Sequence, residues 1–141
     1  MNKNLILLKV VSISLLVACQ SATPATPMDS VTVIDKYIAA INAHDVEAAL
    51  EFVDNNAVYS AEGNPIKGKS EIRKFIEQNV AQLVSVERLG EYTVDGERIT
   101  WTERGLFKNP FPGGTPMKIT TNLEAIVRNG KIISLTGTAV P

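Results

Sequence analysis

The chain of 141 residues has little cysteine, little histidine and no surplus of positive charge, and each shortage excludes a class of protein. Its single cysteine excludes an intramolecular disulfide, and one cysteine with one histidine cannot supply the four ligands of a structural zinc site built from those residues. Lys and Arg number 14 against 15 Asp and Glu, so the chain lacks the basic surface that holds a phosphate backbone. We therefore expect no metal, no cofactor and no nucleic-acid partner, and we look for the function in a pocket.

The N-terminal segment has too short an apolar run for a membrane span but has the layout of a targeting signal. Two lysines precede residues 10–17, whose apolar and small side chains fit a signal-peptide core, whereas a span needs about 20 such residues. The run closes with LVAC at residues 16–19, which resembles the bacterial lipoprotein box, where cleavage before the cysteine exposes a thiol that carries a diacylglycerol. We expect residues 1–18 to be a lipoprotein signal peptide, Cys19 to be lipidated and residues 19–28 to form a proline-containing tether.

This interpretation of the N-terminal segment also predicts a location. Several acyl chains on one residue anchor a protein stably, so we expect the protein in the cell envelope, lipid-anchored to a bacterial membrane and outside the cytoplasm. The alternative interpretation is a plain secretory peptide cleaved after Ala18, in which Cys19 is incidental.

The domain that we expect over residues 29–141 begins with helices. Apolar residues recur at spacings of three and four behind Asp29, Asp45 and Ser70, whose side chains are suited to cap a helix N-terminus. Between the second and the third of these segments, residues 57–60 predict a short strand. We therefore expect three helices before the main sheet.

After about residue 84 the apolar spacing changes to the period of two that is typical of strands. Strands are predicted over residues 83–89, 99–107, 118–128 and 131–140. Tight turns predicted at residues 95–96 and 129–130 make consecutive strands antiparallel. The order of elements predicts an α+β domain, a cone-shaped α+β barrel in which three N-terminal helices pack on a curved antiparallel sheet. Such a sheet encloses a cavity suited to a small molecule.

Short motifs in this region resemble those of a known superfamily. They lie at residues 37–38, 45–48, 56–59, 66–69 and 130–132. In this order and spacing the chain resembles the nuclear transport factor 2-like superfamily, which includes SnoaL-like polyketide cyclases, ketosteroid isomerases and limonene epoxide hydrolases. The resemblance covers nearly all of residues 30–140 and implies the cone fold, but that fold carries many functions.

The resemblance to ketosteroid isomerases implies a helix-one tyrosine, a base after the first strand and a second acid in the sheet. Tyr37 matches the tyrosine, whereas the base position falls on Ala61 and the second acid on or beside Asn122. The Asn122 amide can still donate a hydrogen bond, but a methyl group cannot abstract a proton. Glu62 is the substitute base, although a neighbouring strand residue normally faces the opposite side of the sheet.

The resemblance to epoxide hydrolases implies an Asp-Arg-Asp relay with a tyrosine and an asparagine that hold the water. Arg104 and Tyr59 match the arginine and the tyrosine. The remaining positions fall on Ala61, Leu106 and Gly137, which carry neither acid nor amide. We therefore expect no epoxide hydrolysis.

The predicted ligand pocket combines these matches. It contains Tyr37, Ile41, Tyr59, Arg104, Leu106 and Asn122, and the candidate catalytic side chains are Tyr37, Glu62 and Arg104. Either tyrosine can instead belong to the core, and Arg104 can instead belong to a solvated face. Strand periodicity alone turns Ile99, Trp101 and Phe107 inward. If Arg104 faces the cavity, as the resemblance implies, these apolar residues lie on the opposite sheet face, which is then a candidate homodimer surface.

Three functions remain open at this stage. The first is a membrane-anchored domain that binds a small, mostly apolar molecule without turning it over. The alternative is an isomerase- or cyclase-like enzyme that uses Tyr37, Asn122 and Glu62, and the third is a purely structural lipoprotein. An open cavity that contains Glu62 favours the enzyme, an open cavity without a carboxylate favours the binding module, and a filled cavity favours the structural role.

Overall fold

A computed structural model of the chain describes residues 28–141. The predicted signal peptide, the predicted lipidation site at Cys19 and all but the last residue of the predicted tether lie outside the described residues. Within residues 28–141, no helix is both long and apolar enough to cross a membrane.

Three helices are present, and the first two begin where the sequence predicts. Asp29 accepts a hydrogen bond from the Thr32 amide at 2.9 Å, and Asp45 accepts one from the Ala48 amide at 3.0 Å. These bonds satisfy amides of the first turn that have no partner inside the helix. The helices are α1 (Ser30–Asn42), α2 (Val46–Glu51) and α3 (Lys69–Gln82).

The third helix begins differently from its prediction. Its N-cap is Gly68, at a φ of +82°, and no side chain caps the helix there. The prediction that Ser70 caps this helix is wrong, since Ser70 lies inside the first turn. The chain enters α3 through Gly68, whose positive φ is a conformation that glycine adopts without strain and other residues rarely adopt.

Six strands form one sheet in the order β2-β1-β6-β5-β4-β3. The predicted antiparallel meander is confirmed for the last four strands, but β1 runs parallel to β6. No hairpin joins β1 to β6, so no turn imposes the antiparallel direction on them. The strands are β1 (Val53–Ala61), β2 (Asn64–Lys67), β3 (Leu83–Asp95), β4 (Arg98–Phe107), β5 (Met117–Arg128) and β6 (Lys131–Ala139).

The turn between β5 and β6 lies where the sequence predicts it. Asn129 and Gly130 have φ values of +51° and +72°, as a two-residue hairpin turn of the favoured twist requires. The turn between β3 and β4 is shifted by one residue, because Asp95 still pairs with Arg98 and leaves residues 96 and 97 as the loop.

The core fills the closed end of the cone, between the helices and the concave face of the sheet. Its fully buried members include Val33, Ile34, Ile72, Ile99 and Ile132. Among the described residues, every buried member of this core lies between residues 33 and 135.

Helix α1 lies along the edge strand β3 and runs towards the open end of the cone. The Tyr92 hydroxyl donates a hydrogen bond to Asp35 at 2.6 Å. The Asn42 side chain donates to the Val86 carbonyl at 2.8 Å and accepts from the Val86 backbone amide at 2.6 Å. We call the open end the mouth; there β3 begins at Leu83, β4 ends at Phe107 and β5 begins at Met117.

Candidate functional site

A cavity of about 390 Å³ opens towards the mouth, between the helices and the concave face of the sheet. Its walls come from α1, α3 and every strand except β2, and they are mostly apolar. The volume falls in the range of small-molecule sites, about 300–1,000 Å³. The cavity is not filled by side chains. Its apolar lining includes Ile38, Ile41, Phe75, Trp101, Phe107 and Leu123.

Strand β4 presents alternate residues to the cavity, and Arg104 is not among them. Trp101, Glu103 and Phe107 line the cavity. Arg104 instead pairs with Glu87 on the neighbouring strand, with its Nη1 atom 3.1 Å from the carboxylate. The prediction that Arg104 and Leu106 enter the pocket is therefore wrong. The buried side chains at the start of β4 set the phase of the strand, and the period of two carries that phase to its end.

Asn122 also lies on the outer side of the sheet. It faces Thr102 across β4 and β5, and its Oδ1 atom accepts a hydrogen bond from the Thr102 hydroxyl at 2.8 Å. Its neighbours Thr121 and Leu123 line the cavity instead. The prediction that Asn122 contributes to the pocket is therefore wrong, and its amide cannot complete an oxyanion hole there. Together with Arg104, it belongs to a polar outer face.

Tyr37, Ile41 and Tyr59 do lie on the cavity wall, as predicted. The two tyrosine rings meet edge to face, with centroids 6.5 Å apart, and both rings are buried. Both tyrosines thus belong to the core and also line the cavity, because a cone packs its core directly against its cavity. Burial raises the pKa of both phenols well above their usual value, so both hydroxyls stay protonated donors.

The Tyr59 hydroxyl is the one buried side-chain polar atom in residues 28–141 that makes no hydrogen bond of normal length, although the neighbouring Tyr37 hydroxyl contributes to its raised pKa. The residue is only 2% exposed, so water does not reach it freely. An unpaired buried hydroxyl costs about 1–3 kcal/mol. It is therefore a donor that a polar atom of a bound molecule can use.

Glu103 is the acidic side chain that the sequence analysis missed. Its Oε2 atom accepts a hydrogen bond from the Trp101 indole at 3.1 Å. No lysine or arginine of the described residues pairs with it. Burial raises the pKa of the Glu103 carboxyl above its usual value, and the Trp101 bond offsets part of that rise. The signal was present in the sequence, because Glu103 shares the inward phase of Trp101 and Phe107.

Glu62 lines the cavity as well, for a reason that strand alternation does not supply. β1 ends at Ala61, and Glu62 has a left-handed φ of +50°, which breaks the alternation. One carboxylate oxygen accepts a hydrogen bond from the Ala139 amide at 2.8 Å, so Glu62 also fastens β1 to the end of β6. The cavity therefore contains two carboxyl groups, one bonded to the backbone and one bonded only to an indole.

The positions of the two catalytic templates can now be compared with the cavity. Ala61 and Gly137 line it, so these two template positions carry no acid in this chain. Nowhere in residues 28–141 do three His, Cys, Asp or Glu side chains gather as ligands for a metal ion. The chemistry that the cavity offers is proton transfer by a carboxyl group and hydrogen bonding by two phenols.

The family model of the SnoaL-like domain matches residues 34–135. The chain belongs to this SnoaL-like family. The match spans α1 to β6 and thus contains the entire cavity wall apart from its last two residues at the C-terminal end. Among curated proteins, none matches the chain significantly.

Solved structures confirm the fold of this SnoaL-like domain. The epoxide hydrolase/cyclase-like enzyme SalBIII of pyran ring formation in salinomycin is 22% identical, at a TM-score of 0.72, over 79% of this chain and 90% of its own. A candidate SnoaL-like polyketide cyclase from Shewanella putrefaciens is 15% identical, at 0.67, over 79% and 90%. A nuclear transport factor 2-like protein of unknown function from Cytophaga hutchinsonii is 14% identical, at 0.66, over 83% and 95%. At these identities the likeness shows the fold alone.

Proposed function

We propose that this SnoaL-like domain binds a small, mostly apolar molecule in its cavity and moves a proton on it with Glu103. The observation that carries the proposal is the Glu103 carboxyl group, which has no cationic partner among the described residues and lies on a mostly apolar wall. Such a group holds its proton more tightly than a surface carboxylate does, which is the property of a general acid or base that works near neutral pH.

Binding follows from the shape and lining of the cavity. It is open rather than filled, which argues against a purely structural role. Apolar walls supply the affinity for an apolar molecule, and a few polar groups fix its orientation. The hydroxyls of Tyr37 and Tyr59 are the donors for an oxygen atom of the ligand, and Tyr59 has no other partner.

Turnover follows from the carboxyl groups. Glu62 lies in the open cavity, as the enzyme interpretation requires, but its bond to Ala139 makes Glu103 the better proton carrier. The hydroxyls of Tyr37 and Tyr59 would bind a carbonyl or hydroxyl oxygen of the ligand. Proton transfer by Glu103 next to that oxygen would then promote an isomerisation or a cyclisation. Ring formation is the reaction that the name of SalBIII describes, and cyclisation is the one named for the Shewanella protein.

Binding without turnover is the second candidate. It is favoured by Ala61 and Gly137, which stand on the cavity wall where the two catalytic templates place acidic or amide side chains. A cavity can hold a ligand with these positions empty, because binding does not require stabilisation of a transition state. Epoxide hydrolysis is not expected, since Arg104 faces away from the cavity.

The proposed proton carrier can be tested without knowing the substrate. Carbon-13 NMR of glutamate-labelled protein follows the carboxyl group of Glu103, which is assigned by its disappearance in Glu103→Gln. We expect a midpoint above the usual 4.5. Native mass spectrometry of the same sample identifies a co-purified ligand, and a 5-ene-3-ketosteroid serves as a first isomerase substrate. A midpoint at or below the usual value contradicts the role of Glu103, whereas a bound ligand without turnover of any related compound supports the binding module.

We also propose that Cys19 is lipidated and that the domain is anchored to a bacterial membrane on its extracytoplasmic side. The motif that ends in Cys19 supports this, and Cys19 is the only cysteine of the chain. Cys19→Ser should move the protein from the membrane fraction to the soluble fraction. An unmodified Cys19 in the intact mass of the wild-type protein would contradict the anchor.

The outer face of the sheet is our candidate surface for a homodimer. It carries Arg104 and Asn122 together with threonines of β4 and β6, and not the aromatic side chains expected there from the sequence, because Trp101 and Phe107 line the cavity. Sedimentation velocity of the purified domain, with Asn122→Arg as the disrupting variant, tests this proposal. A monomeric wild-type protein contradicts it.

A further inference from the structure

The exposed apolar side chains of the described residues gather at one end of the molecule. Residues 28–141 contain seven large hydrophobic side chains that are exposed, and five of them lie at or beside the mouth. We call these five the rim: Val84, Phe111, Met117, Ile119 and Val140. The other two, Met28 and Val94, lie before α1 and beside the turn between β3 and β4.

The positions of the rim residues follow from the strand pairing. Val84 comes directly after Leu83, which pairs with Phe107, and Phe107 pairs in turn with Met117. Ile119 lines the cavity while 41% of it stays exposed, and Val140 is joined to β5 by the bond from its amide to the Thr120 carbonyl. Phe111, in the loop between β4 and β5, is 75% exposed. The rim therefore surrounds the opening through which a ligand enters.

Positive charge accompanies one side of the rim. Residues 105–123, which include Phe111, Met117 and Ile119, also contain Lys108 and Lys118 and no acidic residue, although the chain as a whole has a net charge of −1. On the other side, the exposed Glu62 carboxylate accepts a hydrogen bond from the Ala139 amide beside Val140. The Lys108 amide donates to the Gln82 carbonyl at 2.8 Å, which ties the loop between β4 and β5 to the end of α3. The loop side of the mouth thus combines exposed apolar side chains with positive charge.

We propose that the rim docks on the surface of a bilayer that contains anionic lipids, so that the mouth opens into the lipid interface. Exposed aromatic and aliphatic side chains partition into the interface, and each lysine near an anionic surface contributes about 1 kcal/mol. A cluster of this kind on a protein surface marks an interaction site. The cavity behind the rim then receives its apolar ligand from the lipid phase. This last step depends on the proposed function, whereas the docking does not.

The length of the chain before the domain is compatible with this orientation. Helix α1 begins at the closed end and runs towards the mouth over 13 residues, or about 20 Å. Residues 20–28 can span at most about 30 Å when fully extended. If Cys19 is lipidated, as proposed above, the tether is therefore long enough for the mouth to turn back to the membrane that holds the anchor.

The test uses the proposed mature chain, residues 19–141, with Cys19→Ser, which removes its only cysteine. A single cysteine is introduced by Phe111→Cys at the rim or by Val94→Cys at the opposite end, which is also exposed, and each is labelled with an environment-sensitive fluorophore. Vesicles of phosphatidylethanolamine and phosphatidylglycerol are then added. We expect a blue shift and a several-fold rise in emission for the label at position 111 and none at position 94. No change at either position, or an equal change at both, overturns the proposal.

A second pair of variants separates lipid docking from self-association. Phe111→Ser combined with Met117→Ser should abolish co-sedimentation with the same vesicles, and Lys118→Glu should weaken it only when phosphatidylglycerol is present. Sedimentation velocity without vesicles follows the oligomeric state. If the double variant converts a dimer into a monomer and the wild-type protein does not co-sediment with vesicles, the rim is a contact between copies of this chain and the proposal is wrong. Binding of the 5-ene-3-ketosteroid in solution is measured on the same variants and should persist, so a failure of docking differs from a failure of the proposed function.

Discussion

Charged side chains on the two faces of β4 differ in their partners and in their exposure to solvent. On the outer face, Arg104 pairs with Glu87 at 3.1 Å, with side chains that are 41% and 62% exposed. On the inner face, one residue away, Glu103 has no cation and only an indole N–H as a donor. The outer pair is exposed to solvent and its two charges neutralise each other, so neither side chain is a candidate for proton transfer. The inner carboxyl keeps its proton more tightly, and this difference is what makes it a functional candidate.

The largest effect is expected when the inner carboxyl is removed. Glu103→Gln keeps the size of the side chain but cannot carry a proton, so turnover of any substrate should fall by about 10²–10⁴-fold. Glu87→Gln on the outer face is the matched control and should keep wild-type turnover. Steady-state kinetics on both variants measure the difference. Equal losses in the two variants would remove the distinction between the faces.

The pH dependence of stability should show the same contrast. The folded protein holds the Glu103 proton more tightly than the unfolded chain, because burial raises its pKa from the usual 4.5. The stability that Glu103 contributes is therefore complete below pH 4.5 and is lost as the pH rises through the folded pKa.

Urea unfolding across this pH range tests the expectation. Glu103→Gln should remove this part of the pH dependence. Trp101→Phe takes away the indole donor and should move the end of the pH window upwards. An unchanged profile in Glu103→Gln would show that another group is responsible.

Two tyrosine variants should show smaller effects, with changes in the free energy of unfolding that differ in direction. Tyr59→Phe removes a buried hydroxyl that has no partner, so the free energy of unfolding should stay constant or rise by about 1 kcal/mol while ligand binding weakens. Tyr92→Phe removes a hydroxyl that donates to Asp35 at 2.6 Å and should lower the free energy of unfolding by about 1–3 kcal/mol. Denaturant unfolding of both variants gives the comparison. A loss of stability in Tyr59→Phe would mean that its hydroxyl has a partner in solution.

The smallest effect is expected on the outer face itself. Arg104→Ala breaks an exposed ion pair, which contributes about 0–1 kcal/mol, and it should leave ligand binding unchanged. Thermal unfolding and a binding titration are sufficient. Weaker ligand binding in Arg104→Ala would place this side chain in the cavity after all.

The architecture was predictable because local signals determine most of it. Asp29 and Asp45 cap the helices that they precede, and the turn at Asn129 makes β5 and β6 a hairpin. The parallel pairing of β1 with β6 was not predictable, since no local signal joins strands so far apart in the chain.

The site was predicted less well, for two physical reasons. The resemblance to a catalytic motif placed Arg104 inside, whereas the alternation that starts from Ile99 and Trp101 places Glu103 there. Alternation within β4 was the better guide, because one buried pair of side chains fixes the phase of the entire strand. The position of the Glu62 side chain was uncertain from the sequence. It depends on the left-handed φ of Glu62 itself, directly after β1, and composition does not reveal such a backbone feature.

The parallel pairing of β1 with β6 also sets the order in which the protein is completed. β6 is the last strand to be synthesised, yet it lies between β1 and β5 and is the only strand that joins β2 and β1 to the rest of the sheet. The hairpin of β1 and β2 therefore has no link to the other strands until β6 is in place, and contacts of such long sequence separation form slowly. If the domain lies outside the cytoplasm, as we propose, the sheet would be completed only after β6 has crossed the membrane.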